Sequence, residues 1–163
     1  MRSNLLRLTA IFFCCLCFSA TSYAEDQRWY FVRHFEKMSG PDPELTKQGT
    51  QRAQKLADYF AQIPLTAVYS TNYHRTKQTA QAVASELGLP VTQYDPRQLA
   101  TFAETLKLST EVLVVGHSNT TPGLIDLMGG QSVLIEESDY GQLFIVRKVD
   151  GKISTEIVSI PHH

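Results

Sequence analysis

Trp29-Tyr30-Phe31-Val32-Arg33-His34 reads as a strand whose apolar run stops abruptly at an arginine and a histidine. A short unbroken apolar run suits a strand of a parallel sheet covered on both faces, where alternation is lost. In open α/β sheets, ligands sit beyond the carboxyl ends of such strands. The pattern recurs at Val112-Leu113-Val114-Val115-Gly116, followed by His117-Ser118-Asn119-Thr120. Two apolar strands that each end in a histidine predict one pocket with two imidazoles. The arginines beside them predict an anionic ligand.

Strand and helix signals alternate around these two runs. Thr46 is the expected N-cap of a helix that carries Ala53, Leu56, Ala57 and Phe60 on one face and stops at Pro64. Thr66 to Ser70 reads as a second strand. Thr76, Thr79, Ala80, Val83, Ala84 and Leu87 mark a second helix, closed by Gly88 and Pro90. Val91 to Tyr94 is expected as a third strand, and Leu99, Phe102, Ala103 and Leu106 define a third helix. A short helix from about Pro122 to Met128 precedes two strands, Leu143 to Val149 and Ile153 to Ile160, joined by an Asp150-Gly151 hairpin turn. The expected fold is a three-layer α/β/α domain with a mostly parallel sheet ending in an antiparallel hairpin.

The N-terminus follows other rules. Arg2 and Arg7 precede an almost wholly apolar stretch from Leu8 to Phe18, and Ser22-Tyr23-Ala24 supplies small residues at the spacing a signal peptidase needs. Residues 1–24 are read as a signal peptide cleaved after Ala24, with a single domain over 25–163 exported to the periplasm or beyond and holding no stable membrane anchor after cleavage. Cys14, Cys15 and Cys17 all lie in the signal, so the remaining chain has no disulfide, no thiol nucleophile and no cysteine zinc site. The formal net charge is −1 and becomes more negative on loss of two arginines, which argues against nucleic acid as a partner. No metal and no cofactor is expected.

Neutral imidazole is a competent nucleophile near neutral pH, so His34 can attack phosphorus to give a phosphoenzyme that water hydrolyses. That route needs cations around the phosphoryl oxygens, and the planar fork of Arg33 suits them. In Tyr69-Ser70-Thr71-Asn72-Tyr73-His74-Arg75, a strand ends and a helix begins, which places Arg75 in a first helical turn whose amides and dipole favour an anion.

Arg33-His34-x-Glu36, Ser70-x-x-x-x-Arg75-x-x-x-Thr79-Ala80 and Gly116-His117-Ser118 together resemble the histidine phosphatase, phosphoglycerate mutase-like superfamily. The resemblance includes Asp42-Pro43-x-Leu45-Thr46-x-x-Gly49 and Arg52-Ala53, and extends to small members that act on phosphohistidine proteins or lipopolysaccharide heptose phosphates. It implies that His34 is phosphorylated, that Arg33 and Arg75 hold the phosphoryl group, and that His117 donates a hydrogen bond to it. Ser70 and Asn119 would support the pocket. It also implies a carboxylic acid after the third strand. Asp95 is the first candidate for this proton donor, with Glu104 and Glu36 behind it. The substrate would be a small phosphomonoester or phosphoramidate, such as a cell-envelope phosphoester. Phe35 departs from the Gly or Ala usual after the nucleophile, and a ring there could narrow the pocket or stack on a substrate.

Three other readings compete. A catalytically inactive phosphate or sugar-phosphate binding domain would keep the same fold. Gly116-His117-Ser118 also resembles a serine α/β-hydrolase elbow with Ser118 as nucleophile, but Thr120 stands where the second glycine belongs and only His162 or His163 follows as base. A mutase would need insertions to exclude water, for which the chain has little room.

Overall fold

The computed structural model describes residues 26–163; the expected signal peptide lies outside the described residues. Six strands form one sheet in the order β3-β2-β4-β1-β5-β6. These are β1 (Gln27–Arg33), β2 (Ala67–Ser70), β3 (Val91–Gln93), β4 (Val112–Gly116), β5 (Gln142–Val149) and β6 (Lys152–Ser159). The first four run parallel, β5 pairs antiparallel with β1, and β6 pairs antiparallel with β5. Four helices cover the sheet: α1 (Lys47–Phe60), α2 (His74–Leu87), α3 (Leu99–Lys107) and α4 (Thr120–Leu127). This is the expected three-layer α/β architecture with its terminal hairpin.

The central strands feed two cores at once. Tyr30 and Val32 of β1, Leu113 and Val115 of β4, and Leu143 and Ile145 of β5 pack with α1 and α2. The intervening residues Trp29, Phe31, Val112, Val114, Phe144 and Val146 pack on the other face with α3 and α4. The period-two alternation of side chains is intact, but both faces are apolar, so the strands read as continuous runs. Trp29 also anchors α3, its indole Nε1 donating to the carbonyls of Leu106 at 2.8 Å and Ser109 at 2.9 Å.

Helix boundaries follow local chemistry. The Thr46 hydroxyl caps α1 by accepting from Gly49 N–H at 3.1 Å. Gly49 lies against the β1–α1 loop: a Cβ there would stand 2.2 Å from the Glu36 carbonyl oxygen, so no larger residue fits without moving backbone. Gly88 ends α2 in the left-handed region at φ 66°. The helix expected from Pro122 begins earlier, at Thr120, because a proline in the first turn lacks only an amide that has no helical acceptor there. Asp150 and Gly151 both adopt positive φ, 50° and 76°, as the tight β5–β6 hairpin requires.

Neighbouring β1 and β4 are the pair that creates a site. From β1 the chain departs to α1 on one face of the sheet, and from β4 to α4 on the other. Their diverging loops leave a crevice at the carboxyl edge, the switch point at which open α/β sheets bind ligands.

Candidate active site

Parallel pairing of β1 with β4 sets Arg33 beside Gly116. One residue further, the His34 amide donates to the Gly116 carbonyl at 2.9 Å, extending the ladder past the strand ends. The next residues, His34 and His117, therefore meet edge to face with ring centroids 5.5 Å apart. They line a hollow of about 410 Å³ together with Arg33, Arg75, Ser118 and Asn119. The two imidazoles and both arginines expected at one anion site are thus gathered from β1, α2 and the β4–α4 loop.

The tautomer of His34 follows from its partner. Its Nδ1 lies 2.8 Å from the Phe35 carbonyl, which can only accept, so Nδ1 carries the proton and Nε2 holds a lone pair. Burial pushes the His34 pKa down to about 3, and the nearby Arg33, His117 and Arg75 add to the depression, against the opposing pull of the Phe35 carbonyl. Burial likewise lowers His117 to about 4, with Arg75 and Arg33 contributing. Both rings are neutral at ordinary pH. The His117 ring is fixed by Thr71, whose hydroxyl lies 2.9 Å from Nε2 and 2.9 Å from the Thr76 hydroxyl. The His117 amide donates to Thr120 Oγ1 at 2.8 Å.

The arginines are held differently. Arg75 is the second residue of α2; its Nη1 lies 3.4 Å from Asp42, which also accepts from the His74 amide at 3.0 Å. The Arg33 guanidinium is nearly inaccessible and enters the loop that follows α4. Its Nη1 donates to the carbonyls of Glu136 at 2.6 Å, Glu137 at 3.1 Å and Asp139 at 3.1 Å, and its Nη2 to the Glu137 carboxylate at 3.0 Å. The Nε–H groups of Arg33 and Arg75 are buried without a partner.

Several expected site residues fall elsewhere. Asp95, expected as the proton donor, lines a neighbouring hollow with Tyr94 and Arg97. There it pairs with Arg97, whose hydrogen bonds hold its carboxyl down at about 2, so it is ionised rather than loaded with a proton. Glu36 accepts from Arg52 Nε at 3.1 Å; burial would raise its carboxyl, but the bonds from Arg52 and from its own amide hold it below the ordinary value. Glu104 pairs with Lys107 on the exposed face of α3. Ser70 is fully buried and donates to the Thr71 carbonyl at 2.9 Å, and it is Thr71, unremarked in the sequence, that reaches His117. The Phe35 ring is wholly buried in the core beneath α1 and α2, so it neither narrows the hollow nor meets a ligand there. Ser118 donates to Glu137 at 3.2 Å, and His162 approaches Arg52 instead, so no histidine serves Ser118 as the elbow reading requires. Glu137, also missed in the sequence, is the one carboxylate lining the hollow among the described residues. No group of three or more His, Cys, Asp or Glu side chains among the described residues is placed to hold a metal.

The depressed imidazoles make a test of this geometry. The unfolded chain protonates histidine near 6.5 while folded His34 resists down to about 3, so the unfolded state binds more protons throughout that interval. Stability is complete above pH 6.5 and declines as pH falls, by up to about 1 kcal/mol per pH unit from His34 alone. Urea unfolding of His34→Asn should show a visibly smaller loss between pH 6.5 and pH 4 than the parent chain. Equal losses would contradict the buried, neutral state of this ring.

Comparisons with known proteins agree with the architecture. No curated protein matches the chain. Among solved structures, the protein histidine phosphatase SixA in complex with tungstate aligns with a TM-score of 0.65 at 16% identity, covering 83% of this chain and 97% of that one. A mycobacterial glucosyl-3-phosphoglycerate phosphatase aligns with a TM-score of 0.61 at 11% identity, covering 83% and 99%. At such identities the likeness is one of fold. Residues 29–98, which run from β1 into the β3–α3 loop and contain Arg33, His34 and Arg75, match the model of the histidine phosphatase superfamily, branch 1. Over that segment the chain is similar to the histidine phosphatase superfamily, and over nearly its whole described length it shares the fold of the solved phosphatases above.

Proposed function

We propose that this protein is a phosphatase that hydrolyses small phosphorylated substrates through a phosphohistidine on His34, without a metal. The observation that carries the reading is the state of His34: a neutral ring with Nδ1–H tied to the Phe35 carbonyl and Nε2 unprotonated, lining a hollow with Arg33, Arg75 and His117. In the first step Nε2 forms a bond to phosphorus as the bond to the leaving group breaks, the leaving group taking the electron pair. The Nδ1–H bond to Phe35 steadies the positive charge that the ring acquires. Arg33, Arg75 and His117 offset charge on the phosphoryl oxygens. Water then attacks phosphorus, the P–N bond electrons return to Nε2, and inorganic phosphate leaves after one proton passes to solvent. The α2 N-terminus, with Arg75 in its first turn, favours the anion throughout.

Labelled phosphomonoester added to the protein in chelator, then quenched, should leave an acid-labile and alkali-stable phosphate on the parent chain and none on His34→Asn. Unchanged label on that variant would remove His34 from the mechanism. Tight phosphate binding with no turnover of any ester would favour the inactive binding domain instead.

The acids argue for a substrate class. Asp95, Glu36 and Glu104 lie outside the hollow and each is paired with a cation, and Glu137 inside it is paired with Arg33. A leaving group that needs no proton from the protein is therefore favoured: a phenol, or the ring nitrogen of a phosphoramidate that solvent can protonate before departure. A general acid contributes about 100-fold or more for poor leaving groups. Alkyl phosphates should fall below aryl phosphates and phosphoimidazole in kcat/KM by at least about that factor. Equal rates across the series would mean that a proton donor reaches the leaving group.

The apolar run Leu8 to Phe18 behind Arg2 and Arg7, with Ser22-Tyr23-Ala24 after it, supports export and so an envelope or extracellular phosphoester. N-terminal sequencing of protein recovered from cells should begin at Glu25. Recovery of the uncleaved chain in the cytoplasm would refute this.

A further inference from the structure

Glu137 has no part in the chemistry above, yet its carboxylate lies in the hollow. Arg33 Nη2 donates to its Oε2 at 3.0 Å, and Ser118 Oγ donates to its Oε1 at 3.2 Å. A guanidinium donor and a hydroxyl, each bonded to a different oxygen of one anion, is also how a phosphoryl group would be held here.

The two sides of this contact differ in firmness. The Arg33 side chain is 3% exposed, clamped by three backbone carbonyls and covered by the Tyr140 ring at 4.4 Å. The Glu137 side chain is 78% exposed. The loop beneath it keeps its shape by other bonds: the Asp139 amide donates to the Glu136 carbonyl at 3.0 Å, and the Glu136 amide to Asp139 Oδ2 at 2.9 Å. The carboxylate can therefore swing out while the donors and the loop stay in place.

We propose that Glu137 is a further binding residue of this site, an internal competitor that occupies the oxyanion's place on Arg33 and Ser118 when the site is empty. The inference rests on the phosphatase reading. An incoming phosphoryl group must displace the carboxylate, and the returning carboxylate helps to expel inorganic phosphate after hydrolysis. Because substrate and product meet the same competitor, Glu137 weakens ground-state binding of both and leaves the chemical step unaltered.

Calorimetric titration of orthophosphate into the parent chain, Glu137→Gln and Glu136→Gln tests this. Glu136→Gln removes the same charge from the same loop, but that side chain does not touch Arg33. Removing an exposed competitor of this kind should tighten orthophosphate by about threefold to tenfold in Glu137→Gln. Glu136→Gln should change it by less than about twofold. In steady state KM and the inhibition constant for phosphate should fall together in Glu137→Gln, with kcat lowered little. Unchanged or weaker binding in Glu137→Gln would overturn the proposal. A fall in kcat of about 100-fold without tighter binding would overturn it too, and would make Glu137 an acid or base. Orthophosphate failing to bind any of the three proteins would instead refute the phosphatase reading, and this inference with it.

Discussion

The site depends on one backbone register, the parallel pairing that sets Arg33 of β1 opposite Gly116 of β4. The bond from the His34 amide to the Gly116 carbonyl carries that register one step past the sheet, and the two imidazoles come within contact of each other as a result. The pairing is secured by residues far from any chemistry. Tyr30, Val32, Leu113 and Val115 press on one core, while Trp29, Phe31, Val112 and Val114 press on the other. A slip of one residue would send each of these sets to the wrong face and separate His34 from His117. Gly116 is matched to the position as well: a Cβ there would stand 2.6 Å from Thr120 Oγ1 and 2.9 Å from the Tyr94 hydroxyl.

Electrostatics then divides the labour around that register. Burial keeps both histidines uncharged, so the hollow sets two guanidinium groups around a neutral His34 imidazole. Acidic side chains pair with the arginines: Asp42 beside Arg75, and Glu137, within the hollow, beside Arg33. A site assembled in this way is ready for an anion without placing an unpaired charge in the empty protein. Neutrality of the imidazoles is also a source of acid sensitivity, since protonation would bring a further charge next to two guanidinium groups.

Much of this was legible in the chain. The apolar runs at 29–32 and 112–115 are long enough, and flanked clearly enough, to identify buried strands, and their terminal histidines mark the carboxyl edge. The helix faces are equally plain, because Thr46, Gly88 and the spacing of Thr76, Thr79, Ala80 and Val83 are local signals. Other placements depend on spatial information that the chain does not carry. Asp95 stands at a plausible distance along the chain, but Arg97 two residues later captures it. Phe35 follows His34, yet its ring turns into the core and only its carbonyl serves that imidazole. Ser70 and Thr71 are adjacent, and only the folded chain shows that the Thr71 hydroxyl, just past the end of β2, is the one that reaches His117.

What the sequence determined by itself is therefore what depends on neighbours along the chain: strand and helix identity, the order of the layers, and the presence of two histidines and two arginines at strand ends and a helix start. Periodicity and capping are short-range, so they survive without coordinates. Only the tertiary structure decided which carboxylate shares the hollow. Glu137 lies 104 positions from Arg33 in a stretch with no periodic signal, and nothing near it in sequence marks it as part of a site. Its place there follows from a loop that crosses the end of the sheet to bring backbone carbonyls to a buried guanidinium, and such a contact is visible only once the chain has folded.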